Sequence, residues 1–209
     1  MFKLQLREEN FMSLSDNINN AFEVVLKTYE NIDKLMRYCD TISSEFNYIP
    51  ISDKDFLRYK SDRDYNGWLV NSFIKLYQYQ KDQELENGWK DGPIFGLNIY
   101  LIGEPSIYLA KYEFDDIHDW GSSYSVSDHW MFFRPIHAEK YGHDFEITEL
   151  ENHHSYFISE PAPYLKKNYK NLNRVLFTKK DLIQLTAENV GDMVFKEFDK
   201  LRAEVHGSL

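Results

Sequence analysis

"IFGLNIYLI", Ile94 to Ile102, runs straight into "GEPSIYLAKYEF", Gly103 to Phe114, and this pair decides the fold. Both runs are rich in β-branched and aromatic residues, which suit a pleated, packed surface. Asp91-Gly92-Pro93 punctuates the chain before the first run, and Gly103-Glu104 lies between the two. The pattern predicts two antiparallel strands joined by a two-residue hairpin.

Working outward, "HWMFFRP" (His129 to Pro135) reads as a third strand, stopped by its proline. "FEITEL" and "HSYFIS" read as a second hairpin around Glu151-Asn152, and "NRVLFT" (Asn173 to Thr178) as a further strand. Upstream, apolar residues at Ile18, Phe22, Val25, Tyr29, Ile32, Leu35, Cys39, Ile42 and Phe46 recur in threes and fours. That is one face of a long amphipathic helix, with Ser15 or Asp16 as its cap and an end near Asn47. In "WLVNSFIKLYQYQKD", from Trp68, polar residues fall on both strand parities but gather on one helical side, which predicts a second helix. "TAENVGDMVFKEFDKLRAEV" predicts a C-terminal helix with Val190, Val194, Phe198 and Leu201 on its buried stripe.

Strands grouped together between helices, rather than alternating with them, give an α+β class: a mainly antiparallel sheet packed by a long N-terminal helix, a second helix and a C-terminal helix. The 209 residues suit a single α+β domain. Residues 1–14 form an N-terminal extension, with Met12 as an alternative start.

The net charge of -10 works against nucleic-acid backbones. One cysteine, Cys39, excludes an intrachain disulfide and a cysteine-based zinc site, and points to a reducing, cytoplasmic setting. The N-terminus has no signal-peptide pattern and no run is long enough to span a membrane, so no membrane partner is expected.

Six of the seven histidines lie between His118 and His154, interleaved with acids. Imidazole and carboxylate together bind zinc, manganese or iron. The metal-ligand candidates are His118, Asp119, Asp128, His129 and His143, which would make a hydrolase of nuclease or phosphoesterase type. Their spacing argues against convergence: Pro135 breaks the chain before His137, and Gly142 loosens it before His143. No cofactor is therefore expected. No nucleophile elbow and no phosphate loop occurs. "YLKKNYKNLNRVLFTKK" sets Lys166, Lys167, Lys170 and Arg174 beside tyrosines, a pattern that would grip phosphate and stack bases. Against the negative net charge, a solvated loop is the better reading. Trp89 and Trp120, both in loops, are the candidate anchors for a protein partner, whereas Trp130 is assigned to the core.

The leading expectation is a small intracellular binding or regulatory protein acting through protein contacts. The abundance of Asn, Lys, Ile and Tyr fits an AT-rich coding genome, and hence an accessory, phage or mobile-element protein. The mean step of the long stripe, about 3.5 residues, also suits a homodimer through helix 16–46.

Overall fold

The computed structural model describes residues 13–52, 56–59, 65–121, 124–138, 144–151 and 155–203. By compactness the chain divides into residues 1–37 and residues 38–209. Helix α1 (Leu14–Ser43) begins in the first unit and ends in the second. Its start is a capping box built from Ser13 and Asp16: the Asp16 N–H donates to Ser13 Oγ at 3.1 Å, and the Ser13 N–H donates to Asp16 at 3.2 Å. The cap is Ser13, one turn's edge earlier than Ser15 or Asp16. In the first unit Lys27 and Lys34 both pair with Glu30, at 2.8 and 2.5 Å, and Arg37 pairs with Asp33 at 2.8 Å. These pairs are of the i,i+3 and i,i+4 kind that lies along one side of an exposed helix. Ile18 and Phe22 of the apolar stripe are exposed, as is Leu14 ahead of it.

The second unit is built on an antiparallel sheet of eight strands. These are β1 (Tyr48–Pro50), β2 (Leu57–Arg58), β3 (Ser72–Tyr79), β4 (Ile94–Tyr100), β5 (Ser106–Phe114), β6 (Phe145–Glu149), β7 (Tyr156–Pro161) and β8 (Leu172–Asp181). The order is β1-β3-β4-β5-β8-β7-β6, with β2 also paired to β3. The helices are α1, the short α2 (His129–Phe133) and α3 (Lys196–Ala203). The class is α+β, with a long N-terminal helix, two more helices and an antiparallel sheet.

Alternation along the strands gives the sheet two buried faces. The first carries Ile74, Leu76, Tyr112, Val175 and Phe177, and packs with Phe132 and Ile136 from the segment beginning at α2. The second carries Tyr77 and Phe95 under Phe195 and Phe198, with ring centroids 5.3 Å apart for Phe95 and Phe198. Val190, Val194, Phe198 and Leu201 are all buried, as their spacing predicts. Between them Gly191–Phe195 forms a π turn before α3, so the C-terminal helix is shorter than its apolar pattern.

Three local readings are corrected. The stretch after Trp68 is strand β3, not a helix. Its polar residues occupy both parities because both faces are covered and the buried Lys75 and Gln78 each find a partner. Lys75 reaches Asp40 at 2.7 Å and the Ser52 carbonyl at 2.6 Å, while Gln78 exchanges hydrogen bonds with the Lys90 backbone at 2.8 and 2.9 Å. "HWMFFRP" is α2 followed by a 3-10 turn over Arg134–Ile136, not a strand. Ser125 and Asp128 form a capping box ahead of it, and rings stack at helical spacing, His129 on Phe133 at 4.9 Å and Phe133 on His137 at 4.1 Å. The first hairpin exists, but pairing closes at Tyr100 and Ser106, so its loop is residues 101–105 rather than Gly103-Glu104 alone. The second hairpin pairs β6 with β7 as read.

Candidate functional site

The histidine-rich segment is placed in very different surroundings. His129 opens α2 and is buried on the first face. Its Nε2 lies 2.9 Å from Ser72 Oγ, and Ser72 Oγ donates to Asn98 Oδ1 at 3.0 Å. A hydroxyl has one proton, so the His129 Nε2–H must be the donor to Ser72. Asn98 Nδ2 then donates to His137 Nε2 at 3.3 Å. The result is a directed chain, His129 to Ser72 to Asn98 to His137, running under α2 from β3 to β4. Burial holds the His129 pKa down to about 4, so the ring is neutral. Its Nδ1 has no hydrogen-bond partner among the described residues.

This chain is structural rather than nucleophilic. Ser72 is fully buried, and its proton points at a carboxamide oxygen rather than at an imidazole lone pair. A serine activated by histidine needs the opposite polarity and an open approach to substrate. Residues 72 and 98 are far from 129 and 137 in sequence, so only the Ser125/Asp128 capping box hinted that His129 starts a helix.

The other candidate ligands lie apart. His118 and Asp119 are exposed in the loop after β5, where the His118 N–H donates to Asp116 at 2.7 Å. His118 borders an acidic cleft of about 440 Å³ with Asp91, Glu113, Asp115 and Asp116. Asp128 is spent on the Ser125 N–H at 2.9 Å. His143 lies outside the described residues. Among the described residues no group of three or more His, Cys, Asp or Glu is placed to hold a metal ion.

Trp89 and Trp120 do not stand out from the surface as anchors. They are 2% and 8% exposed and meet edge to face at 5.1 Å. Trp89 Nε1–H donates to the Gly121 carbonyl at 2.8 Å, and Asn87 donates to the carbonyls of Ile117, His118 and Trp120. The tryptophans lock two loops together, a role that loop position in sequence hides. Trp130, assigned to the core, is instead at the surface edge of α2, with Arg134 over its ring at 5.8 Å.

The basic stretch is divided between surroundings. Lys166 donates to Asn173 at 3.1 Å, Lys167 is exposed in the same 3-10 turn, and Lys170 lies over Trp120 at 4.5 Å. Arg174 pairs with Glu113, which Lys111 also contacts at 3.0 Å. Burial would raise the Glu113 pKa, but the Arg174 hydrogen bond and the Lys111 charge hold it below the usual carboxylate range. Lys180 pairs with Glu197 of α3 at 2.5 Å.

Two surface features were not foreseen as sites. In and after the 3-10 turn Tyr65–Gly67, Tyr65, Trp68 and Leu69 are 72%, 67% and 52% exposed. On the first face, where the cover of α2 ends, a cavity of about 390 Å³ lies among Tyr108, His137, Phe157 and Phe177, with Glu104 and Lys179 at its edge. Among the described residues no helix is long and apolar enough to cross a membrane. No protein-family model, curated protein or solved structure matches this chain.

Proposed function

We propose that this chain is a small binding or regulatory protein that works in the cytoplasm by docking on a protein partner, as an accessory, phage or mobile-element protein would. The observation that carries the reading is the Tyr65, Trp68 and Leu69 group: three large apolar side chains exposed within five residues of chain. The turn that presents them is closed by the Trp68 N–H donating to the Tyr65 carbonyl at 3.2 Å. Tryptophan and tyrosine dominate interface hot spots because they bury much area for little lost rotamer entropy. The net charge of -10 favours a partner whose apolar socket is rimmed by lysine and arginine. Nucleic acid has less support, since Arg174 and Lys180 already neutralise Glu113 and Glu197.

The test compares the wild-type chain with a Trp68→Ser, Leu69→Ser variant, both immobilised and exposed to lysate of the source cells. A protein retained by the first and lost by the second is then purified and titrated calorimetrically at rising salt. Loss of affinity in the variant at unchanged melting temperature, with weakening by salt, supports the reading. Identical retention by both chains overturns it.

A further inference from the structure

We propose that the cavity on the first face of the sheet binds a free amino acid with an aromatic side chain. The cavity is about 390 Å³, at the small end of the range of ligand cavities, about 300–1,000 Å³. That suits one ring and its attached backbone rather than a dinucleotide or an extended peptide. Its floor is aromatic and comes from three adjacent strands. Phe157 of β7 and Phe177 of β8 stack at 5.4 Å with 29° between their planes, and Tyr108 of β5 lies 6.5 Å from Phe177. His137 forms a wall, edge-on to Tyr108 at 4.4 Å. The buried His129–Ser72–Asn98 chain ends on its Nε2, which fixes the tilt of that wall before any ligand arrives.

The charges at the edge choose the ligand class. Lys179 places its ammonium 5.8 Å from the Tyr108 ring centre, and Glu104 stands on the β4–β5 loop. Neither has an ion-pair partner among the described residues. A purely anionic aromatic would meet Lys179 but face Glu104. A cationic ligand would meet Glu104 but find the Tyr108 face already taken by the Lys179 ammonium. A zwitterion satisfies both, its carboxylate on Lys179 and its ammonium on Glu104, with the side chain over the aromatic floor. This site is separate from the Tyr65–Leu69 turn and stands whether or not that surface binds a protein.

Calorimetric titration of the full chain tests it with L-phenylalanine, L-tyrosine and L-tryptophan. The comparators are 3-phenylpropionate, which lacks the amine, phenethylamine, which lacks the carboxylate, and L-alanine, which lacks the ring. At least one aromatic amino acid is expected to bind at one site, and each comparator about tenfold or more weakly. Lys179→Met should weaken the amino acid and strengthen phenethylamine, whose ammonium no longer competes with Lys179 at the Tyr108 ring. Glu104→Gln should weaken the amino acid and strengthen 3-phenylpropionate, whose carboxylate no longer faces a like charge. Both side chains are exposed, and an unchanged melting curve confirms that each variant folds. Absence of binding by all three aromatic amino acids at millimolar concentration overturns the proposal. So does a comparator that binds equally well, or affinity indifferent to both substitutions.

Discussion

His129 converts burial into pH dependence. Its ordinary pKa of 6.5 falls to about 4 because the folded chain desolvates the ring. Above pH 6.5 neither state binds the proton. As the pH falls from 6.5 to 4, the unfolded chain takes up the proton and the folded chain does not. Stability is therefore lost across that window, by up to about 3 kcal/mol from this residue. Glu113 and Glu197, both held below the usual carboxylate range despite burial, add losses that begin only below about pH 4.5. Urea unfolding of His129→Gln at pH 7 and pH 5 should show a smaller drop than wild type; an equal drop would assign the dependence elsewhere. Cys39 gives a second check. Burial first, and the neighbouring Asp40 charge second, push its thiol up to about 12. The thiolate is the reactive form, so a thiol reagent should label it slowly in the native protein and rapidly in denaturant. Fast native labelling would mean the end of α1 is not packed as described.

At the scale of elements, β3 shows how a strand can hide. Lys75 is buried within the sheet and meets Asp40 of α1, whose other oxygen accepts from Tyr77 at 3.0 Å. Removing one member of such a pair strands a buried charge. Asp40→Ala, which leaves the Lys75 ammonium at 2% exposure, should cost about 3 kcal/mol or more, and Lys75→Met distinctly less, because the Asp40 carboxylate left behind is 17% exposed and still accepts from Tyr77. Denaturant midpoints decide between them, and equal costs would show that the charge is compensated elsewhere. The π turn before α3 carries a steric reason for Gly191. A Cβ there would lie 2.5 Å from Phe46 Cζ, in a ring stacked on Phe195 at 5.3 Å. Gly191→Ala should therefore destabilise by about 1–3 kcal/mol, although helix propensity alone favours alanine by about 1 kcal/mol. A stabilised variant would show that Phe46 moves aside freely.

Across the second unit, stability is concentrated where rings of distant origin meet. Phe198 contacts Tyr48, Tyr77 and Phe95, joining α3 to three strands, with centroids between 5.3 and 6.0 Å. Phe198→Ala should cost about 3–5 kcal/mol in thermal or denaturant unfolding. The paired Trp68→Ser, Leu69→Ser change, at exposed positions, should stay within about 0.5 kcal/mol of wild type. If the exposed pair proves as costly as Phe198, those side chains are packed in solution and the surface offered to a partner is smaller than described.

The sequence by itself determined the class, the long N-terminal helix, the β4–β5 and β6–β7 hairpins and the buried stripe Val190, Val194, Phe198, Leu201. Each depends on local periodicity and turn residues, which a single stretch of chain contains. Tertiary structure decided the rest. Whether "SFIKLYQY" is strand or helix turned on partners for the buried Lys75 and Gln78, one in α1 and one at Lys90. Whether "HWMFF" is strand or helix turned on a capping box, legible as Ser125-x-x-Asp128, and on rings stacked four residues apart. The surroundings of His129, the burial of Trp89 and Trp120, and the cavity beside His137 arise from pairings between residues tens of positions apart. No local pattern encodes such pairings, because burial depends on what the remainder of the chain lays over a residue.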